Sequence, residues 1–166
     1  MRLLILKEVS PWKNLLPLAK EYDATQYIVI KIGEEQYGIN IKYVDNILRM
    51  QKITRVPHAQ PYFKGVINLR GEVVPVMSLR VKMSLDDDEI TKNSRIIILK
   101  IENNAPVGIV VDEVKEVVSL DERSIDEVSR NSAKSDASFI FGVGKVDEGL
   151  ISLLDLNTVI SEKEMV

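Results

Sequence analysis

The chain contains no cysteine and only one histidine. Without cysteine it can form no disulfide, carry no thiolate nucleophile and bind no metal through a thiolate, and the absence fits a reducing compartment. The single histidine, His58, follows Pro57 and precedes Pro61, which favour an extended or turned backbone, so we interpret it as an exposed loop residue. One histidine cannot build a multi-histidine metal site. We therefore expect neither a bound metal nor a cofactor.

The chain also lacks a net positive charge and long apolar runs. The 22 basic and 25 acidic residues give a net charge of -3, so no basic field is available for counterion release, and nucleic acid is not an expected partner. The N-terminal apolar run at residues 3–6 is shorter than the core of a secretory signal, and no apolar stretch reaches the length of a transmembrane helix. We expect a cytoplasmic protein with no direct membrane insertion.

Short runs rich in isoleucine, valine and tyrosine recur along a chain that is 45% apolar and 28% charged. Such runs, separated by glycine, asparagine and charged turns, are typical of β-strands. No long helices alternate with them, so we predict an all-β fold of small barrels or a sandwich, with minor helix. The predicted strands are residues 27–32, 37–41, 65–70, 72–79, 95–101, 106–111 and 149–154.

The sequence also repeats itself internally. Residues 38–48 align with residues 108–118, with glycine or apolar residues matched at most positions, and residues 71–79 align with residues 148–156. Each copy would hold a hairpin, a link and another strand pair. The repeat therefore predicts two pseudo-equivalent barrels with a groove at the seam between them.

The expected organisation is an N-terminal extension followed by one domain of two lobes. The extension is residues 1–24 and the lobes are roughly residues 25–90 and 91–161. Within the extension, Ser10 followed by Pro11 is typical of a helix start, and the apolar residues that follow predict a short amphipathic helix. The polar residues 84–94 are predicted to form a solvated crossover between the lobes.

The motifs contain no catalytic pattern. Residues 142–145 hold two glycines and a lysine but lack the spacing of a phosphate-binding loop. The acidic residues 86–89 lack the glycine and the spaced oxygen ligands of a calcium loop. No G-x-S-x-G motif accompanies the histidine that a serine triad would require. We predict that the protein is not an enzyme, and a small β-barrel enzyme such as a hydrolase is the alternative from another class.

The segment Gly-Val-Ile-Asn-Leu-Arg-Gly-Glu-Val-Val-Pro-Val at residues 65–76, preceded by Ile-Thr-Arg-Val-Pro at residues 53–57, resembles the most characteristic stretch of the CheW-like family. The opening hairpin and residues 108–114 and 141–144 are also similar to that family. The resemblance extends over about residues 25–161. It implies two SH3-like, five-stranded β-barrels with a short C-terminal helix.

The resemblance implies a chemotaxis signal-transduction adaptor. Such an adaptor couples methyl-accepting chemoreceptors, at their cytoplasmic tips, to the regulatory domain of the chemotaxis histidine kinase CheA. It works in the cytoplasm and is recruited to membrane receptor arrays. The alternatives are a CheW-type adaptor of another receptor–kinase pathway, such as surface motility, and a purely structural assembly protein.

Two sets of binding residues carry over from the family by position. The kinase-binding set is Ile41, Val44, Asp45 and Asn46. The receptor-binding set is Gly65, Val66, Asn68 and Arg70. Asn46 stands where many family members have glutamate, so a charge-assisted contact would be lost or moved to Asp45. Gly65, Val66 and Asn68 can equally serve the barrel alone, whereas the Arg70 guanidinium suits a carboxylate of a partner.

Overall fold

The computed structural model describes residues 24–128, 139–147 and 149–160. The predicted N-terminal extension, residues 1–24, lies outside the described residues except for Ala24, and its predicted short helix lies wholly outside them. Eleven strands are described, together with two short α-helices and two turns of 3₁₀ helix. The strands are β1 (Thr25–Ile32), β2 (Glu35–Asn40), β3 (Val44–Arg49), β4 (Phe63–Leu69), β5 (Glu72–Ser78), β6 (Arg95–Leu99), β7 (Val107–Val111), β8 (Glu113–Leu120), β9 (Ile125–Glu127), β10 (Ile140–Val146) and β11 (Gly149–Leu154).

The strands form two sheets. The six-stranded sheet has the order β8-β1-β2-β11-β10-β9, and the five-stranded sheet has the order β3-β6-β7-β5-β4. Neighbouring strands are antiparallel except for β2 with β11 and β5 with β7, which are parallel. The mostly β fold with two sheets and minor helix is confirmed. One sheet has six strands rather than the five expected, because the short strand β9 pairs with β10.

The sheets do not follow the predicted division near residue 90. The first copy of the repeat places its hairpin β1–β2 in the six-stranded sheet, whereas its remaining strands β3, β4 and β5 lie in the five-stranded sheet. The second copy does the reverse with β6–β7 and β8 to β11. The physical reason is that the chain crosses between sheets after each opening hairpin, at Ile41–Tyr43 and at Asp112. A boundary drawn from the repeat alone cannot reveal this exchange.

The two copies nevertheless match strand by strand. Strands β4 and β10 bury their residues at the same positions, and each contains a register shift just before an equivalent glycine, Gly65 and Gly142. Each copy ends in one turn of α-helix, α1 (Leu79–Lys82) or α2 (Leu156–Val159). Their N-caps, Ser78 and Asp155, accept a backbone hydrogen bond at equivalent places. The helix α2 is the expected short C-terminal helix.

Three apolar clusters hold the molecule together. One lies within the five-stranded sheet, a second within the six-stranded sheet, and the largest contains residues of both sheets. Strand β1 is buried on both faces, since Val29 enters the cluster of its own sheet and Ile28 and Ile30 enter the shared cluster. Strand β6 is buried on both faces in the same way, since Ile96 and Ile98 enter the cluster of its own sheet and Ile97 enters the shared cluster. This explains why both strands are continuous apolar runs rather than alternating ones.

A polar contact closes the seam beside the shared cluster. The Asp112 carboxylate, at the crossover from β7 to β8, accepts hydrogen bonds from Gly33 N (2.7 Å), Arg80 Nε (3.0 Å) and Arg80 Nη2 (2.6 Å). Gly33 belongs to the β1–β2 turn of one sheet, and Arg80 lies in α1, which follows β5 of the other. We call this three-residue contact the seam clamp. It joins three chain segments that are distant in sequence.

None of the helices in the described part of the chain is long and apolar enough to cross a membrane.

Candidate interaction surfaces

The predicted kinase-binding residues lie together where the chain crosses into the five-stranded sheet. Ile41 lies in the 3₁₀ turn, and Val44, Asp45 and Asn46 begin the edge strand β3. All four residues are half-buried, and the side chains of Ile41 and Val44 pack against the shared cluster. We call this set the crossover patch. The crossover patch places aliphatic side chains beside polar ones, which is the composition of the centre and rim of a protein–protein interface.

A β-bulge shapes the crossover patch. In the pairing of β3 with β6, Val44 faces Leu99 and Asn46 faces Ile98, so Asp45 has no opposite residue. The equivalent bulge in β8 leaves Lys115 without an opposite residue in β1. Bulges bend a strand and redirect a side chain, often next to functional sites. The two sheets therefore present residues of opposite charge at the same structural position.

The predicted receptor-binding residues lie on the hairpin β4–β5, at the other edge of the five-stranded sheet. We call Gly65, Val66, Asn68 and Arg70 the hairpin patch. Its tip is a two-residue turn, because Leu69 pairs with Glu72, and both central residues have positive φ: 53° at Arg70 and 86° at Gly71. That is a type I′ turn, in which asparagine, aspartate or glycine is usual at the first central position.

Arg70 is therefore placed at a strained position. A non-glycine residue in the left-handed region costs about 1–2 kcal/mol, and strained residues concentrate at functional sites. The Arg70 guanidinium is exposed, and among the described residues it has no ion-pair partner. The turn itself is held by Asn68, whose Oδ1 accepts a hydrogen bond from Gly71 N at 2.9 Å. Asn68 thus positions Arg70.

Gly65 and Val66 have a clear structural role. Val66 N donates to Thr54 O at 2.8 Å and Thr54 N donates to Val66 O at 2.9 Å, so the segment around Thr54 covers the edge of β4. A Cβ added to Gly65 would lie 2.1 Å from Thr54 O, and φ is 141° there. Only glycine fits this close approach. Gly65 is buried and Val66 is half-buried, so Asn68 and Arg70 are the exposed members of the hairpin patch.

Sequence reasoning missed Val73, which is 68% exposed and faces Asn68 across the hairpin. Strand alternation could have revealed it, because Val74 and Val76 are buried and Val73 must point to the opposite face. It places an apolar side chain beside the polar tip. The seam clamp was also missed, because its partners are 79 and 32 residues apart in sequence.

An acidic loop approaches the base of the hairpin patch. Lys64 pairs with Asp87, and Lys64 Nζ lies 3.5 Å from Asp88 Oδ2. The Asp88 side chain is only 2% exposed, and neither of its oxygens has a well-formed hydrogen bond to the described residues. Burial raises the pKa of Asp88, although the nearby Ser78 hydroxyl and Lys64 oppose that rise. The loop was predicted to be solvated throughout, and at Asp88 that expectation is wrong.

No group of three or more histidine, aspartate or glutamate side chains is arranged to hold a metal in the part of the chain that the structure describes. The five-stranded sheet carries both patches at its two edges: the half-buried crossover patch with its aliphatic side chains, and the hairpin patch with the Arg70 guanidinium, which has no ion-pair partner among the described residues. These features define a protein of the binding or scaffolding class.

Comparisons with known proteins identify the family. A family model described as CheW-like domain matches residues 26–164. The chain is 36% identical over 136 residues to the chemotaxis protein CheW of Bacillus subtilis, covering 82% of this chain and 86% of that one. It is 32% identical over 148 residues to CheW of Klebsiella aerogenes, covering 89% of both. The crystal structure of the scaffolding protein TtCheW from Thermoanaerobacter tengcongensis superposes with a TM-score of 0.77 at 32% identity, covering 86% of this chain and 98% of that one.

The chain belongs to the CheW family and is a chemotaxis adaptor, a scaffolding protein and not an enzyme. The family resemblance predicted from residues 53–57 and 65–76 is confirmed, as are the predicted class and function.

Proposed function

We propose that the chain couples methyl-accepting chemoreceptors to a chemotaxis histidine kinase, with the kinase regulatory domain on the crossover patch and the receptor tip on the hairpin patch. The adaptor would work in the cytoplasm and reach the membrane through the receptors it binds. Its mechanism is positional, because an adaptor that binds one kinase state better than another shifts the kinase toward that state.

The observation that carries the receptor side of the proposal is Arg70. An arginine is held by the Asn68–Gly71 hydrogen bond in a strained turn, with its guanidinium free of partners among the described residues. A carboxylate on a receptor helix would pair with the Arg70 guanidinium in a planar, bidentate geometry. Beside it, Val73 would contact the apolar face of the same helix.

The kinase side rests on the crossover patch. Ile41 and Val44 are aliphatic, half-buried and fixed by their packing on the shared cluster, so little conformational entropy would be lost when a partner covers them. Asp45 lies at the bulge, where its side chain can be matched by a basic residue of the partner. Because Asn46 carries no charge, Asp45 is the acidic residue of the crossover patch.

The kinase contact can be tested by calorimetric titration of the whole chain with the regulatory domain of the same organism's chemotaxis kinase. Asp45→Lys is expected to weaken binding at least tenfold, since a like charge would replace an attractive one. Lys115→Asp is the matched control, because it reverses charge at the equivalent bulge of the other sheet. Equal effects of both variants would refute the assignment to the crossover patch, and no binding by the unmodified chain would refute the kinase partner.

The receptor contact can be tested by co-sedimentation of the chain with receptor tips assembled on liposomes. Arg70→Gln is expected to release the chain from the receptor pellet while kinase binding stays unchanged. Arg123→Gln removes another exposed guanidinium, which forms a local ion pair with Asp121, and controls for the loss of charge. Co-sedimentation of the Arg70→Gln variant at the level of the unmodified chain would refute the receptor role of Arg70.

A further inference from the structure

The loop that joins the two copies of the repeat is fixed at its ends and has few contacts between them. At the first end Leu85 N donates to Arg80 O at 2.8 Å, and at the second Ser94 N donates to Thr91 O at 3.1 Å. Residues 86–90, which lie between, form no backbone–backbone hydrogen bond within the described part of the chain. We call residues 86–90 the strap. Only its side chains can hold it against the rest of the protein.

Those side chains hold the strap at one place. Asp88 is the only residue of the strap that is not exposed, and its side chain is 2% exposed. Ile90, the apolar residue of the strap, is 55% exposed and enters none of the three apolar clusters. Asp87 and Asp88 both approach the Lys64 ammonium on β4. Insertion of Asp88 beside Lys64 therefore fastens the strap.

An ionised carboxylate is costly at this place. Burial removes water from both Asp88 oxygens, and neither has a well-formed hydrogen bond to the described residues. A buried charge without such bonds raises the free energy of the state that contains it. A protonated carboxyl has no net charge, and its O–H can donate a hydrogen bond. Proton binding therefore favours the inserted position of Asp88 over a solvated one.

The charged groups around Asp88 reduce this preference without removing it. Lys64 on β4 attracts the ionised form, but its ammonium is shared with Asp87, whose charge repels that of Asp88. Arg80 on α1 also attracts the Asp88 carboxylate, and the Ser78 hydroxyl at the end of β5 favours the ionised form. Burial outweighs these groups, so the pKa of Asp88 is raised above its usual value.

We propose that proton binding to Asp88 controls the strap, which closes against β4 when Asp88 is protonated and opens when Asp88 is ionised. In the open strap Asp88 is solvated and titrates at its ordinary pKa, about 4, whereas in the closed strap its pKa is higher. Between these two pKa values the ratio of open to closed strap rises by up to about tenfold for each pH unit, and above them it stays constant.

Opening of the strap changes the charge available beside the hairpin patch. The Lys64 ammonium loses both strap carboxylates, and Lys64 directly precedes Gly65 and Val66 of that patch. Lys64 also lines a cavity of about 390 Å³, together with Phe63 and residues 55–61. The strap therefore masks or exposes a cation at this cavity as the pH changes, whichever partner the patch binds.

NMR of the whole chain tests the proposal between about pH 4 and about pH 8. The carboxyl carbon shift of Asp88 gives its pKa, and relaxation dispersion of the strap amide nitrogens gives the open fraction. The open fraction is expected to rise severalfold with pH and to level off above the pKa that the carboxyl shift reports. A strap that is equally closed, or equally open, at both ends of the pH range would overturn the proposal.

Three variants identify the group that binds the proton. Asp88→Asn is expected to keep the strap closed at every pH, whereas Asp86→Asn, which removes an exposed carboxylate of the same strap, is the matched control and should keep the pH dependence. Lys64→Met removes an attraction that opposes proton binding, so the Asp88 pKa and the midpoint of strap opening should rise together, a result that does not depend on the fold of Asp88→Asn. Three results would each overturn the proposal: a pH-dependent strap in Asp88→Asn, loss of the dependence in Asp86→Asn, or an unchanged midpoint in Lys64→Met.

Discussion

Removing the charge of Asp112 tests whether the seam clamp stabilises the fold. The Asp112 carboxylate accepts three hydrogen bonds, two of them from Arg80, and both side chains are about one-fifth exposed, at 22% and 18%. Each hydrogen bond to a charged group contributes about 1.5–3 kcal/mol when buried, and exposure to solvent reduces that amount. We expect Asp112→Ala to lower the free energy of unfolding by about 2–3 kcal/mol. Asp112→Asn, which keeps an acceptor for Gly33 N, should lower it by about 1–2 kcal/mol.

The pH dependence of the free energy of unfolding distinguishes the contribution of the Asp112 charge from that of side-chain packing. Burial alone would raise the pKa of Asp112, but the Arg80 hydrogen bonds, the Gly33 N–H and the Arg80 charge together lower it below its usual value. A carboxyl with a depressed pKa stabilises the fold above the pKa of the unfolded chain, about 4. That contribution is lost as pH falls through the folded pKa. The difference in free energy of unfolding between the unmodified chain and Asp112→Asn should therefore be full at pH 7 and shrink as the pH falls below about 4.

The assay is urea denaturation followed by circular dichroism at a series of pH values, with the free energy obtained by linear extrapolation. Asp121→Asn is the matched control, because that carboxylate also accepts bonds from an arginine and from backbone N–H groups, but only within its own turn. It should destabilise less than Asp112→Asn. Equal stability of Asp112→Asn and the unmodified chain at pH 7 would refute the reasoning, and so would a difference that persists undiminished in acid.

Four further substitutions test other parts of the fold. Asp88→Asn should stabilise the protein at pH 7 in urea melts, and the gain should shrink as pH falls, because burial raises the pKa of Asp88 and the folded state therefore favours its protonated form. Gly65→Ala should lower the free energy of unfolding by about 3 kcal/mol or more, because the added Cβ would clash with Thr54 O. Gly71→Ala, whose Cβ would meet no atom within 4 Å, should lower it by only about 1 kcal/mol, because of its positive φ. A series of thermal melts compares the two variants. Arg70→Asn should raise the free energy of unfolding by about 1 kcal/mol, because asparagine tolerates the left-handed turn, while co-sedimentation with the receptor falls. A variant that loses stability as well as co-sedimentation would contradict the strain argument.

Local sequence pattern was sufficient to predict most strands, for reasons visible in the structure, whereas the two sets of binding residues came from the family resemblance and stay a prediction. Strands β1 and β6 are apolar runs because both faces are buried, and the tip of the hairpin patch is marked by Arg-Gly between two alternating strands. The sequence contains no comparable signal for contacts that form only after the chain crosses between sheets. The Gly33–Asp112 bond, the burial of Asp88 and the bulge at Asp45 all depend on which strands become neighbours, and pairing over such distances is not encoded in a local period.

The exchange of hairpins explains why the repeat is a unit of sequence but not of folding. The hairpin β1–β2 belongs to the first copy, yet its outer neighbours β8 and β11 belong to the second; the hairpin β6–β7 is flanked in turn by β3 and β5 of the first copy. A chain cut between the copies would leave both edges of each hairpin unpaired and the shared cluster divided. Each copy therefore depends on the other for its hydrogen bonds as well as for its core. The two proposed patches lie on strands contributed by the first copy, but the second copy supplies the β6 and β7 strands that hold them in one sheet.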